Sequence, residues 1–384
     1  MVPLRLLSVA SLPIASVLLL FFVAGLTAAE PKGPAASKNP LDNLATVKWD
    51  NISLEDVATD LREKHKLDVT VDRQSIENEG LVTTNIKINM NFYGLTLRSI
   101  IWLGLDSYRL ELIEKPDGPL ITSRPVAEAM FLDREYDLKL LGPIGRDEKG
   151  VIDLVRGSVD AYWKESDGFG GAIEVADGKL KVSQIPAVHA QITSVFTQIQ
   201  RELATGKKPP LSVEEENERV IAERLAKPPT RKLAVTGEIP FNELATKCGE
   251  AFGVPMWVDG DGLNDARVGF KQGVTPQIEG KTGEEILDSI LGPLDLGYVI
   301  DHEVTLLTSK TKANAPKRLR VFNARGKGVK IKGTPEEIVR KIQESEEYGR
   351  WGDGGGAIHL AGSLIVVRQS PKAIRKIEAL FSGK

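Results

Sequence analysis

The sequence is poor in the side chains that most often hold metals or attack substrates. Cys248 is its only cysteine, and a single cysteine cannot form an internal disulfide. The four histidines lie at positions 65, 189, 302 and 359. None has a second histidine at zinc-ligand spacing, and His302-Glu303, which begins like a zinc-protease helix, is followed by Leu306 where that motif needs histidine. We therefore expect no metal site and no cofactor.

The chain also lacks an excess of charge of either sign. It has 50 basic and 53 acidic residues, a formal net charge of −3. Proteins that bind nucleic acids through the phosphate backbone usually carry a surplus of Lys and Arg. We therefore expect no nucleic-acid partner.

Long apolar runs are absent except at the N-terminus. Residues 6–26 are almost wholly apolar, follow Arg5, and precede the small residues Thr27-Ala28-Ala29. This order predicts a secretory signal peptide over residues 1–29, followed by a polar linker over 30–45. We expect the protein in the periplasm or cell envelope, or secreted, with no membrane insertion after cleavage. An uncleaved anchor is the alternative, because 21 residues can just span a bilayer.

Two features could suggest catalysis, and each has a simpler structural interpretation. Gly280-Lys281-Thr282 resembles the end of a phosphate-binding loop, but position 275 is Thr where that loop needs Gly. Thr282 and Glu285 instead have the spacing of a helix capping box. Cys248 lies on the apolar face of a predicted helix and is expected in the core. We predict that the chain is not an enzyme; an enzyme with a dispersed site is the alternative.

The chain repeats itself. The matched segments are residues 54–61 with 241–248, 94–96 with 280–282, and 170–173 with 355–358. The offset drifts only from 187 to 185 residues between the first and last match. We interpret this as an internal duplication.

Each copy divides into two small modules. Apolar spacing and turn residues predict a βαββαββ order over 46–124 and 232–310, and a βαββα order over 131–204 and 317–382. Helices on one face of a small sheet make an α+β fold, so we predict a tandem duplication of two-layer α/β modules. The charged, proline-flanked segment 205–231 is predicted to be a spacer. We expect each copy to have its own core and the spacer to make few contacts.

The first module of each copy resembles the short N-terminal domain shared by secretins and TonB-dependent receptors. The resembling residues are Ile52-Ser53-Leu54-x-x-Val57-Ala58-x-x-Leu61, Leu67-Asp68-Val69-Thr70-Val71-Asp72 and Gly94-Leu95-Thr96-Leu97-Arg98. The second module is similar to the βαββα modules of secretin periplasmic regions. The resemblance implies binding to proteins and signalling, and not catalysis. No barrel-forming segment follows in this sequence, so we expect neither a pore nor a receptor.

Two glycine-rich loops, 167–171 and 352–356, occupy matched positions between a predicted helix and a predicted strand. Glycine permits positive φ angles, which favours a structural role for these loops. Aromatic residues beside polar loops are also common in protein interfaces. The candidate interaction residues are Trp163, Gly168, Phe169, Tyr348, Trp351 and Asp353.

These observations predict an exported, non-catalytic envelope protein that acts as a protein-interaction scaffold, with a link to secretion or envelope transport. Small sheets leave edge strands, and an edge can bind a partner's strand through main-chain hydrogen bonds. The partner is expected to be a protein, and association into a homo-oligomer is left open. A membrane-anchored structural protein that keeps its N-terminal helix is the alternative to export.

Overall fold

A computed structural model describes most of the chain beyond the predicted leader. The described residues are 39–204, 209–231, 238–275, 281–315, 317–326, 329–352 and 355–382. The predicted signal peptide lies outside them. Within these ranges no helix is long and apolar enough to cross a membrane.

The first copy contains two modules. The first module has the elements β1 (Leu44–Ser53), α1 (Leu54–His65), β2 (Thr70–Val71), α2 (Arg73–Asn78), β3 (Lys87–Thr96), α3 (Leu97–Asp106), β4 (Leu110–Lys115), β5 (Gly118–Ser123) and α4 (Arg124–Ala129). The second module has β6 (Leu132–Asp137), α5 (Glu148–Ser158), α6 (Lys164–Asp167), β7 (Ala172–Ala176), β8 (Lys179–Gln184) and α7 (Pro186–Leu203).

One helix, α8 (Val213–Leu225), precedes the second copy. The third module has β9 (Ile239–Pro240), α9 (Phe241–Phe252), β10 (Met256–Val258), α10 (Gly260–Asp265), β11 (Gly273–Val274), α11 (Gly283–Leu291), β12 (Leu296–Asp301), β13 (Val304–Ser309) and α12 (Lys310–Ala313). The fourth module has β14 (Arg318–Asn323), α13 (Pro335–Glu344), β15 (Ala357–Ala361), β16 (Leu364–Gln369) and α14 (Pro371–Phe381).

Strand order is the same in the two copies. The sheets of the first copy are β1-β3, β2-β5-β4 and β6-β8-β7, and those of the second are β9-β11, β10-β13-β12 and β14-β16-β15. In each copy the parallel pair lies in the middle sheet, β2 with β5 and β10 with β13. The predicted α+β fold of small, duplicated modules is confirmed.

Local sequence sets where the helices begin. Ser53 and Asp56 form a reciprocal capping box at the start of α1. At the start of α11, the Thr282 N–H donates to Glu285 Oε2 over 2.8 Å and the Glu285 N–H donates to Thr282 Oγ1 over 3.2 Å. Each box satisfies backbone donors that the first helical turn leaves unpaired. The predicted cap at Thr282 is therefore confirmed.

The second and fourth modules share one core, which corrects the expectation of a separate core in each copy. One face of the β14-β16-β15 sheet packs on its own helices, through residues such as Phe322 and Ile365. The opposite face packs on α5 and α7 of the second module. That face presents Leu319, Val321, Leu364 and Val366. The two modules therefore stack as sheet, helices, sheet, helices.

The residues that match this second face in the first copy are charged. Strand pairings place Leu132 opposite Gln184 and Arg318 opposite Gln369. Counting along the strands, the counterparts of Leu319, Val321, Leu364 and Val366 are Asp133, Glu135, Lys179 and Lys181. Of these two sheets, only β14-β16-β15 has two apolar faces, so only it can be covered on both sides.

The first and third modules are joined in the same way. Trp257, Val304 and Leu306 of the third module belong to the core of the first, and the rings of Phe92 and Trp257 lie 5.8 Å apart. At the edge of this contact the rings of Trp102 and His302 stack at 3.8 Å.

Helix α8 is packed between modules, so the expectation of a spacer with few contacts is wrong. Its apolar residues Ile221 and Leu225 are part of the core of the third module. The Asn217 side chain donates to the Gly94 carbonyl of the first module over 3.3 Å and to Glu303 of the third over 2.5 Å.

Helix α8 also contacts the second and fourth modules, through ion pairs. Glu215 accepts two hydrogen bonds from Arg201 of α7, at 2.7 and 3.0 Å. Glu218, whose carboxylate is buried, pairs with Arg318 of β14. One helix therefore contacts all four modules, and the copies are not free to take variable angles.

The polar linker predicted over residues 30–45 is also shorter than expected. Leu41 is buried in the core of the first module, and β1 begins at Leu44. The last residues of the predicted linker therefore belong to the fold.

The packing of α8 predicts that Leu225→Ala destabilises the protein. Leu225 is 0% exposed, and truncation of a buried leucine costs about 2–5 kcal/mol. We expect a lower midpoint in chemical denaturation, with both copies affected. Leu211→Ala is the matched control, because Leu211 is 38% exposed; equal losses from the two variants would contradict the assignment of α8 as a packed element.

A second prediction concerns pH. Burial, with the nearby Glu218 carboxylate, raises the pKa of Glu214 in α8 from 4.5 to about 7. Protonated Glu214 therefore adds its full contribution to the free energy of unfolding below pH 4.5, and this contribution is lost as the pH rises through 7. As pH rises from 5 to 8, Glu214→Gln should become increasingly more stable than the natural protein, by up to about 2 kcal/mol in the free energy of unfolding.

The control for that prediction is Glu216→Gln. A hydrogen bond from Arg219 lowers the pKa of Glu216, so this variant should gain nothing as pH rises. Thermal unfolding of the three proteins from pH 5 to 8 makes the comparison. If the difference in unfolding temperature between Glu214→Gln and the natural protein did not change with pH, the prediction would be contradicted.

Candidate functional site: the groove between the second and fourth modules

A groove of about 1060 Å³ lies between the second and fourth modules, where their two glycine-rich loops meet. The second module contributes Phe131, Tyr162 and Phe169 to its wall, and the fourth contributes Trp351 and His359. The stacking of one module on the other creates the groove. Neither copy could form it alone.

The two loops are anchored by the same contacts. Trp163 forms a parallel bridge with Gly171, and Trp351 forms one with Gly356. The first loop is three residues longer between these bridges. Trp351 is therefore the structural counterpart of Trp163, although the 185-residue offset would match Trp163 with Tyr348.

A buried glutamine braces each loop. Gln184 Nε2 donates to the Tyr162 carbonyl over 2.9 Å, and Gln369 Nε2 donates to the Arg350 carbonyl over 2.8 Å. Each glutamine Oε1 also accepts from the next backbone N–H over 2.8 Å. Because the glutamines end the central strands of their sheets, they tie both loops to the rigid part of the fold.

The loop glycines are required by close packing. A Cβ at Gly171 would collide with the Ser183 carbonyl and with Gln184. A Cβ at Gly356 would collide with the equivalent atoms, the Arg368 carbonyl and Gln369. Glycine thus permits close backbone approach at the same position in both copies. The positive φ angles that the sequence predicts for these loops occur at Gly168, Gly170 and Gly352.

The structure separates the six candidate interaction residues. Phe169 and Trp351 line the groove. Trp163 is buried in the core of the second module, and Tyr348 packs against that of the fourth. Gly168 is exposed in a left-handed turn with φ of 78°. Asp353 lies outside the described residues.

An exposed aromatic patch lies at the rim of the groove. Phe169 is 60% exposed and Tyr162 is 64% exposed, and their rings lie 4.8 Å apart. Phe131, which is 47% exposed, lines the same groove. Sequence reasoning missed Tyr162 although it precedes Trp163. Neighbouring residues of an extended segment point to opposite sides, so a buried Trp163 places Tyr162 on the surface.

Two polar residues of the groove, His359 and Arg368, hold the two modules together. The His359 ring lies against Gly157 of α5, where a Cβ would collide with it, and burial lowers the pKa of His359. Arg368 Nε donates to the Ser158 carbonyl over 3.1 Å, and its guanidinium lies 3.9 Å from Asp160. Among the described residues that line the groove there is no Ser, Thr or Cys.

The other residues considered for chemistry have structural roles. Cys248 is buried, and burial raises the pKa of its thiol to about 12, which confirms its place in the core. His302 and Glu303 form the turn between β12 and β13, both with positive φ. The Glu303 carboxylate accepts from the Thr96 N–H over 2.8 Å. In the described part of the chain, no cluster of His, Cys, Asp and Glu could hold a metal ion.

The close packing of the loops predicts that Gly356→Ala destabilises the protein, by about 1–3 kcal/mol, as overpacked variants do. Gly292→Ala is the control. A Cβ there would have no neighbour within 4 Å, and φ is −54°, so a change near zero is expected. Denaturant midpoints check both values. An unchanged midpoint for Gly356→Ala would show that the loop is not held as described.

Comparisons with known proteins add a distant likeness. No model of a protein family matches the chain, and neither does any curated protein. Among solved structures, the chain is similar to the N-terminal domain of the secretin XcpQ from Pseudomonas aeruginosa, with 11% identity over 88% of this chain and 97% of that one, at a TM-score of 0.16. A dimeric mutant of that domain matches with 9% identity over 88% and 99% of the two chains, also at a TM-score of 0.16. At this TM-score the chains do not superpose as wholes.

Proposed function

We propose that the protein is a non-catalytic, exported scaffold of the cell envelope that binds a protein partner in the groove between its second and fourth modules. The observation that carries this proposal is the aromatic patch. Among the described residues, the strongly exposed aromatic side chains are Tyr93, Phe131, Tyr162 and Phe169. Three of these four line one groove.

Clustering of this kind favours binding. Single exposed apolar side chains are normal on a protein surface, whereas a contiguous patch marks an interaction site. Tyr and Phe are enriched at the centres of protein interfaces because they bury a large area with few rotatable bonds. The glutamine braces hold Tyr162 in place before any partner arrives, which lowers the entropic cost of association.

The polar groups of the groove support binding better than catalysis. Arg368 and His359 are occupied in contacts between the modules. General acid–base catalysis needs a titratable group with access to the substrate, and covalent catalysis needs a nucleophile beside a base. Glu128, Asp160 and Lys317 of the described lining are exposed, but no Ser, Thr or Cys nucleophile lies beside them among the lining residues. An aromatic patch with charged groups around it suits a polypeptide ligand.

The proposed destination rests on the sequence. The apolar run over residues 6–26 and the small residues before Glu30 support export and cleavage. In the periplasm or envelope, a rigid body of four modules can hold partners at fixed separations. A role in secretion or envelope transport is the setting that we propose for it.

The test is capture of a partner from the native envelope with the purified mature protein. Tyr162→Ala combined with Phe169→Ala should weaken capture at least about tenfold, because truncation of central aromatic anchors costs more than about 1–2 kcal/mol. Leu140→Ala is the matched control, since Leu140 is also 60% exposed but does not line the groove. Equal capture by all three proteins would contradict the groove as the binding surface.

A further inference from the structure

Strand β6 has an open edge. It lies at the outside of the β6-β8-β7 sheet and pairs with β8 on one side. Outside that ladder, the main-chain groups of Asp133 and Glu135 make no hydrogen bond within the described part of the chain. Unpaired donors and acceptors along a strand are a template for another strand.

The matching edge in the second copy is closed. The Val321 N–H donates to Gln198 Oε1 over 3.0 Å, and Gln198 Nε2 donates to the Leu319 carbonyl over 3.3 Å. Leu319 and Val321 are the counterparts of Asp133 and Glu135. A side chain of α7 thus satisfies on β14 the groups that remain open on β6.

Charge across the sheet indicates what the open edge would accept. On its exposed face, Glu174 of β7 lies opposite Lys181 of β8, and Lys181 lies opposite Glu135 of β6. Lys179 of β8 donates to Glu135 Oε2 over 2.5 Å. The charges alternate from strand to strand, and β6 ends the series with Asp133, Glu135 and Asp137 on one face. Opposite charges on neighbouring strands stabilise a sheet, and like charges destabilise it. The next strand in this series would carry basic residues.

We propose that β6 binds an extended segment of a protein partner as an added strand, and that this segment carries Lys or Arg at every second position. Main-chain hydrogen bonds to the open edge would supply affinity, and the acidic row would select the partner. The groove patch is a different surface, so this site goes beyond the function proposed above. Phe131, which lines the groove, immediately precedes β6, and the two surfaces are therefore adjacent.

The first test uses the mature full-length protein and fluorescent octapeptides. One peptide alternates lysine with valine, a second has the same composition in two blocks, and a third alternates glutamate with valine. Fluorescence anisotropy should show binding of the alternating lysine peptide at least about tenfold tighter than of the other two. Equal affinity for the alternating and block peptides would overturn the proposal, because charge alone would then explain binding.

Charge-reversal variants locate the site. Asp133→Lys combined with Glu135→Lys should reverse the preference, so that the glutamate peptide binds better than the lysine peptide. Glu174→Lys is the matched control, because it changes the same face of the same sheet two strands away from the open edge. It should retain the preference for the lysine peptide. If Glu174→Lys also reversed the preference between the two peptides, the charge of the whole sheet face would attract the peptide, and the assignment of the site to β6 would be overturned.

Backbone changes test the hydrogen bonds. Glu135→Gln removes only charge, whereas Glu135→Pro also removes the N–H, and proline is tolerated on edge strands. Binding should fall further in the proline variant, provided that circular dichroism shows the natural fold. N-methylation of alternate peptide bonds in the lysine peptide removes the partner's donors without altering the protein, and it should abolish binding. Unchanged binding of the N-methylated peptide would overturn the added-strand geometry.

The two proposals can fail separately. Tyr162→Ala with Phe169→Ala should leave binding of the lysine peptide unchanged, because neither residue belongs to β6. Loss of peptide binding in that variant would overturn β6 as a separate site.

Discussion

The arrangement of the four modules depends on the packing of α8 between them. Its buried carboxylate, Glu218, is paired with Arg318, and burial raises the pKa of Glu218. Separation of such a pair leaves an uncompensated charge in a poorly solvated place, which is strongly destabilising. Because Asn217 of the same helix contacts the first module and Leu225 is buried in the third, a shift of one module relative to α8 would break contacts with the rest. A charged segment between two copies therefore acts as the joint that fixes them.

The stacking of the modules accounts for the way in which the two copies differ. A sheet whose second face is covered must be apolar on both faces, and a sheet at the end of the stack must be polar on its outer face. Leu319 and Val321 in the second copy, against Asp133 and Glu135 in the first, follow that rule. Charge on the outer sheet of the first copy also disfavours a further layer, since a pair of helices packed there would bury Asp133, Lys181 and the Glu135–Lys179 ion pair.

Sequence reasoning predicted what is local and what is repeated. The cap at Thr282, the core position of Cys248 and the α+β class rest on short-range spacing, and the duplication rests on a recurring offset of 185–187 residues. The stacking of the copies was missed because a search for similarity ignores the positions at which the copies differ, and those positions carry the interface. For the site, Phe169 and Trp351 could be found from aromatic residues beside glycine, whereas Tyr348, which also precedes a glycine, is half-buried against the core of the fourth module. Whether an aromatic ring points inward depends on backbone direction, which composition does not give.

The candidate site follows from the same divergence. In the fourth module, Trp351 forms a bridge with Gly356 and packs against the core of that module. In the second module, three more residues between Trp163 and Gly171 carry Phe169 outward, where it meets Tyr162. Both loops keep the same glycine and glutamine contacts, and the longer loop adds others, since Glu165 pairs with Arg156 and Asp167 accepts from the Trp163 N–H over 2.7 Å. The longer loop is therefore anchored at its base while it presents Phe169 to the groove, and a duplicated unit can acquire a partner on such a surface without loss of stability.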